Sequence, residues 1–223
     1  MSEFVRSRNS YDGKKDAKRL YPDLPEPLEI GTYDNHTHLE IEDTDFPMGI
    51  QDHLAKMLQV NMLGAVQVGV TLESSKYSAE IAKSEPMVLA AVAIHPNEAP
   101  LYGSLSSLNA AIDEIAELAK QPRVRAIGET GLDYFRTDGA DALALQHHSF
   151  ERHIEIAKQN NLALQIHDRD AHEDVVETLL RVGAPAKTVF HCYSGDLDLA
   201  KICLDQGWYL SFAGNITFKK NQH

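Results

Sequence analysis

The sequence predicts an α/β fold built as a (β/α) barrel, and two observations carry that prediction. Seven short apolar runs alternate with stretches of helical periodicity, which is the signature of βαβ units around a parallel sheet. His or Glu then stands at the carboxyl end of five of those runs. Strand carboxyl ends converge on one mouth in such a barrel, and that mouth is where the fold keeps its chemistry. A length of 223 residues suits one domain of this kind.

Residues 1–29 come first and read differently from the rest. They combine charge, Ser, Asn and three prolines, Pro22, Pro25 and Pro27, a composition that favours an extended polar and basic arm. Its basic cluster (Arg6, Arg8, Lys14, Lys15, Lys18, Arg19) could touch nucleic acid, although a solvated tail is the commoner meaning of such a run. From residue 30 the pattern is regular. Strands are expected near Tyr33–Asn35, Ala65–Val70, Met87–Ile94, Val124–Gly128, Leu162–Ile166, Thr188–Phe190 and Trp208–Ala213. These runs are short, continuous and rich in Val and Ile, as strands buried on both faces are. Between them, Leu108, Ile112, Ile115 and Leu118 share one helical face, and Leu145, Ile154 and Ala157 share another. Asp170 followed by Glu173 has the spacing of a capping box opening a helix through Val175, Val176 and Leu179. There is no internal repeat and no domain break after residue 30, so 30–223 is expected to form one domain.

Composition narrows the function. With 43% apolar and 24% charged residues the chain can bury a large core, and no run approaches the roughly 18 apolar residues of a membrane span. The N-terminus lacks the apolar run of a secretory signal, so a cytoplasmic location is expected. The two cysteines, Cys192 and Cys203, are too few for a disulfide framework and are expected in the core. A formal charge of −12 argues against a broad phosphate-binding surface, because such affinity comes from Lys and Arg. Bound cations can still supply positive charge locally.

The polar residues at the strand ends are His36 and His38, His95, Glu129, His167 and His191. His36 and His38 are two apart, so an extended strand projects both from one face. A lone buried histidine is usually a hydrogen-bonded core residue. The set of His36, His38, Glu129, His167 and His191, four imidazoles around a carboxylate, would be costly to bury uncompensated, and a metal resolves that cost. Mixed imidazole and carboxylate donors suit Zn, Mn, Fe or Co, and carboxylate-rich sites lean toward Mg or Mn. Arg169, two residues beyond His167, could fork onto a phosphate, or pair with Asp168 or Asp170. Ser194 and Gly195 mark a turn at the mouth, Asp34 could support the histidines from behind, and Tyr134 would line the cleft or cover the rim.

The segments "DNHTH", "GETGLDY", "HDRDA", "HCYSG" and "SFAGNITFK", in that order and spacing, resemble the TatD family of metal-dependent deoxyribonucleases, within the amidohydrolase superfamily. The resemblance runs over about residues 32–220. It implies a TIM-type barrel and divalent-metal hydrolysis of DNA phosphodiesters, as a DNase or 3′-to-5′ exonuclease using two metal ions (Mg, Mn or Zn). On that resemblance His36 and His38 are ligands of the first metal and Glu129 bridges the pair. His167 and His191 are ligands of the second metal, while His95 of the "HP" motif faces the site without being a ligand. The catalytic roles fall to Glu129 and Arg169, with His95, Tyr134 and Ser194 lining the site. The family's barrel has an eighth strand whose "ETD"-type Asp binds the first metal. This chain stops at His223, so the eighth strand is expected to be absent, the domain incomplete at its C-terminus, and the barrel open between its seventh and first strands. Two other readings stand beside the nuclease: hydrolysis of a small amide, ester or lactone by the same ligand set, and a truncated barrel that binds metal or a partner without turnover.

Overall fold

The computed structural model describes residues 21–41, 46 and 48–219. Most of the predicted basic arm therefore lies outside the described residues. Of it, 21–29 forms no helix or strand, and Leu28 is tied down by a bond from its N–H to Val60 O at 3.1 Å.

The strands are β1 (Thr32–Thr37), β2 (Met62–Val68), β3 (Val88–Val92), β4 (Val124–Asp133), β5 (Ala163–Arg169), β6 (Thr188–Phe190) and β7 (Tyr209–Leu210). Between them run α1 (Ile50–Gln59), α2 (Leu72–Ser84), α3 (Leu105–Leu118), α4 (Ala140–Gln159), α5 (His172–Val182) and α6 (Leu197–Asp205). All seven strands pair in parallel in the order β1-β2-β3-β4-β5-β6-β7. Each strand thus neighbours its predecessor, as single winding around a barrel requires; a doubly wound sheet would reverse its order at a switch point. Among the described residues β7 does not pair with β1, so the sheet is an incomplete barrel, as the strand count predicts. Side chains from the β7 end and from β5 reach β1. Ser211 Oγ donates to Asn35 Oδ1 at 3.0 Å, and Gln165 Nε2 donates to Asn35 O at 2.6 Å.

The core sits on both faces of this sheet. Val88, Val92, Ile127, Leu164 and Ile166 pack against helix residues Leu108, Ile112, Ile115, Phe150, Ile154 and Leu179, all buried. On the other face a smaller cluster of Val68, Ala91 and Ala126 fills the interior with short side chains. Two-sided burial is why these strands read as continuous apolar runs. Cys203 is buried in the larger cluster, and Cys192 is half-buried, both as free thiols.

Local signals set the helix starts. Thr71 and Ser74 form a reciprocal capping box at α2, and Asp196 accepts the N–H groups of Asp198 and Leu199 at α6. The box expected from Asp170 and Glu173 does not form. Ala171 is the N-cap of α5, without a side-chain cap bond, because Asp170 is turned into the left-handed region (φ 55) and cannot aim its carboxylate down the first turn. Gly131 also has positive φ (+146), and a Cβ there would lie 2.0 Å from His167 O. Only glycine lets β4 approach β5 this closely beside the strand ends.

Candidate metal centre

Five strands deliver polar side chains to one place. His36 and His38 come from β1 and its end, His95 follows β3, Glu129 lies in β4, His167 in β5, and His191 follows β6. Glu129 is the common member. Its Oε2 faces His36 Nε2 at 3.4 Å and His38 Nε2 at 3.8 Å, while its Oε1 faces His167 Nδ1 at 2.8 Å and His95 Nε2 at 3.7 Å. Two sets of potential ligand atoms result, His36–Glu129–His191 and His95–Glu129–His167, each with its atoms within 4.8 Å of one another.

The grouping differs from the one the resemblance implies. His191 joins His36, their rings stacked at 3.4 Å and 11°, and His95 stands beside His167 with 3.2 Å between ring nitrogens. His38 lies next to the first set, its ring 5.1 Å from that of His36. The closeness of β1 to the β6–β7 end, seen in the Ser211–Asn35 bond, is what carries His36 to His191.

Neighbouring groups fix most of these rings. His38 Nδ1 faces Val68 O at 2.9 Å, an arrangement that places the proton there and turns Nε2 toward Glu129. His95 Nδ1 accepts the backbone N–H of Asn97 at 3.1 Å. His167 lies between two carboxylates, with Asp133 Oδ2 3.0 Å from its Nε2. Burial opposes a proton on His167, but Asp133 and Glu129 outweigh it and raise its pKa to about 9. Burial and then His167 lower His95 to about 3; burial and then His36 lower His191 to about 3. Glu129 is held well below the usual carboxylate range: burial would raise it, and the surrounding histidines outweigh burial.

This donor set fits divalent cations. Both nitrogens of His36 and Nδ1 of His191 are buried and have no hydrogen-bond partner among the described residues. Leaving such atoms unsatisfied costs about 1–3 kcal/mol each, and a cation accepting the one lone pair that each neutral ring offers removes the cost at that nitrogen. At His167 two carboxylates favour positive charge on the ring; ligation would supply that charge as metal in place of a proton.

The remaining predicted site residues fall around this cluster. Arg169 does not pair with Asp168 or Asp170; its guanidinium lies 3.9 Å from the centroid of Phe135. Tyr134 points to the helices instead, its hydroxyl held by His147 Nε2 at 2.7 Å and by Asp174. Burial and Asp174 push that phenol above its usual range. Ser194 is exposed and donates to Asp168 O at 3.4 Å, tying the loop after β6 to β5. Asp34 accepts the backbone N–H of His36 at 3.0 Å, so it shapes the strand without touching a ring. Asp133 is the residue that sequence reasoning passed over. It is fully buried, contacts His167, and is itself held by Asn97 Nδ2 at 2.9 Å. Its spacing from Glu129 within the strand, i to i+4, puts both on one face and was the available signal.

Known proteins are similar to this chain. A family model described as "TatD related DNase" matches residues 33–223. An uncharacterized metal-dependent hydrolase TatD of Mycobacterium tuberculosis is 34% identical over 189 residues, covering 83% of this chain and 70% of that protein. The uncharacterized metal-dependent hydrolase YabD of Bacillus subtilis is 34% identical over 188 residues, covering 84% and 70%. Among solved structures, the TatD homolog YJJV of Escherichia coli superposes with a TM-score of 0.70 at 24% identity, covering 85% of this chain and 70% of that one. An uncharacterized amidohydrolase of Saccharomyces cerevisiae superposes with a TM-score of 0.67 at 18% identity, covering 81% and 67%. These two likenesses concern the fold.

Proposed function

Because this chain belongs to the TatD family of metal-dependent hydrolases, we propose that it hydrolyses phosphodiester bonds of DNA, as a DNase or 3′-to-5′ exonuclease, with two divalent cations (Mg, Mn or Zn). The observation that carries this reading is the division of the Glu129 carboxylate, one oxygen toward His36 and His38 and the other toward His167 and His95. A carboxylate so divided suits a pair of cations, which when bound would supply Lewis acidity to the phosphoryl oxygens. His36, His191 and Glu129 would hold one, with His38 beside them; His167 and Glu129 would hold the other, with His95 facing it without ligating, because its Nδ1 accepts the Asn97 N–H and the ring proton is left on Nε2. The protein's own part is to keep these donors aligned before substrate arrives. Asp133 holds His167 from behind, Val68 O holds His38, and the backbone of Asn97 holds His95. Arg169, on the same strand as His167, would bring positive charge to a phosphate at the mouth of an acidic protein.

Glu129→Gln keeps the shape of the side chain and removes the charge. It should lower both metal content and hydrolysis of single-stranded and nicked DNA by more than roughly 100-fold, beyond the 10–100-fold common for supporting residues. Metal analysis and a nuclease assay on the same preparations check this. Unchanged activity and metal content in the variant would overturn the assignment of Glu129. Metal without nuclease activity in the unaltered protein would favour a small amide or ester as substrate, and absence of metal would favour a non-catalytic barrel.

A further inference from the structure

The second strand carries a polar side chain that its own packing does not need. In "MLGAVQVGV", Met62 to Val70, Gln67 stands alone among apolar residues and glycines and is fully buried, and Glu40, in the loop after β1, is buried with it at 2% exposure. A buried amide is costly unless its groups are bonded, and these are. Gln67 Oε1 accepts the N–H of Leu39 at 2.7 Å, and its Nε2 donates to Glu40 Oε2 at 2.5 Å. One side chain therefore grips the two residues that follow His38.

The register of β1 against β2 runs to the pair Thr37–Gln67, so His38 lies one residue past the strand. Beyond that point β2 keeps hold of the chain by other means. Val68 O faces His38 Nδ1 at 2.9 Å, and the Leu39 N–H takes the Gln67 side chain as acceptor where a continuing strand would use a backbone carbonyl. Ile41 N–H then bonds His38 O at 3.2 Å, closing a turn. Consecutive residues of β2 thus fix the ring of His38 and the backbone beside it. Glu40, which can only accept from the amide nitrogen, decides which way the Gln67 amide faces and so presents its oxygen to Leu39. We propose that Gln67, oriented by Glu40, is a positioning residue for His38: it keeps the Nδ1 proton on Val68 O and turns Nε2, now 3.8 Å from Glu129 Oε2, toward the cation that His36, His191 and Glu129 would hold. This rests on the reading of the cluster as a metal centre and adds the device that sets one of its two sites.

Three variants of the whole chain test it. Gln67→Met keeps the length of the side chain and removes both bonds. Gln67→Glu keeps an acceptor for Leu39 but sets a second carboxylate against that of Glu40. Gln67→Glu combined with Glu40→Gln exchanges the two groups, so that one carboxylate accepts both from Leu39 and from the amide moved to position 40. Calorimetric titration of the chelated proteins with Mn should show one of the two sites weakened roughly 10–100-fold in each single variant, the other site unchanged, and the parent's affinity recovered in the exchange. NMR of the histidine-labelled, metal-free proteins should find the His38 proton on Nδ1 in the parent and the exchange, and distributed over both ring nitrogens in Gln67→Met. Thermal unfolding checks that each variant folds; should Gln67→Met not fold, Gln67→Glu against the exchange decides. Parent-like Mn binding in the single variants, or a loss in Gln67→Glu that the exchange does not recover, overturns the positioning role and leaves the metal reading standing. If the unaltered chain binds none of Mn, Zn and Mg, the metal reading falls and the positioning role with it.

Discussion

At the residue scale, the site is organised by carboxylates more than by the histidines that announce it. Glu129 divides its oxygens between two imidazole groups, and Asp133 performs the same service one layer out, joining His167 on one oxygen and the Phe135–Arg136 backbone on the other. Burial would raise the Asp133 carboxyl, but bonds from His167, Asn97 and the Arg136 backbone hold it below its ordinary range. Asp133→Asn retains the shape but offers His167 an amide that can turn its donor group inward. Outer partners of this kind are worth about 10–100-fold in metal affinity or activity. Titration calorimetry with Mn and DNA hydrolysis should both show a loss of that size for Asp133→Asn; an unchanged affinity would remove Asp133 from the supporting role.

At the element scale, α4 determines where β3 ends. His153 of α4 is fully buried, its Nδ1 facing Ser149 O at 2.6 Å and its Nε2 accepting the N–H of Ile94 at 3.2 Å. Ile94 directly precedes His95, so a helix on the outside of the sheet positions the backbone that carries a histidine facing the site. These bonds require a neutral ring. Burial lowers the His153 pKa to about 4, with the Ser149 carbonyl opposing, against about 6.5 in an unfolded chain. Between those values the unfolded state takes up a proton that the folded state does not. The contribution of His153 is therefore complete above pH 6.5 and is lost as pH falls toward 4, by about 3 kcal/mol in all. His153→Gln removes this titration and leaves that of the other histidines. Urea unfolding at pH 7 and pH 5 should show the parent losing about 2 kcal/mol more than the variant, and equal losses would refute the assignment. Elements of this sort were largely legible in the sequence. The apolar runs of β3, β5 and β6 and the face of Leu108, Ile112 and Ile115 answer to strand and helix periodicity, which depends on neighbours in the chain. The α5 cap was not legible, because Asp170 takes a left-handed conformation (φ 55) just before buried Ala171, which spacing alone does not reveal.

At the scale of the whole molecule, five strands meet in one cluster, so cations bound there would tie together segments far apart in sequence and stabilise only the folded chain. At free metal near 100 times the dissociation constant the gain is about 2.7 kcal/mol. For a chain of this size that corresponds to a melting point raised by roughly 5–10 °C. Scanning calorimetry of the chelated protein before and after addition of Mn, Zn or Mg should show this rise, and Glu129→Gln should abolish it. No change with any of the three would count against a metal centre.

The sequence by itself determined the alternation of strands and helices, the parallel sheet, and the presence of His36, His38, His95, Glu129, His167 and His191 where the apolar runs stop, because periodicity and the end of an apolar run are local properties; that β4 continues past Glu129 to Asp133 was not among them. Only the tertiary structure decided which of these share an oxygen of Glu129. That depends on the register of β4 against β5, which shifts between Ile127 and Thr130, and on how closely β1 approaches the β6–β7 end. The same non-local geometry turned Tyr134 outward to His147 and Asp174, laid Arg169 on Phe135 instead of on Asp168 or Asp170, and placed Asp133 behind His167. Side-chain direction at a strand end is set by the strands on either side, and the chain brings those together only when the sheet has formed.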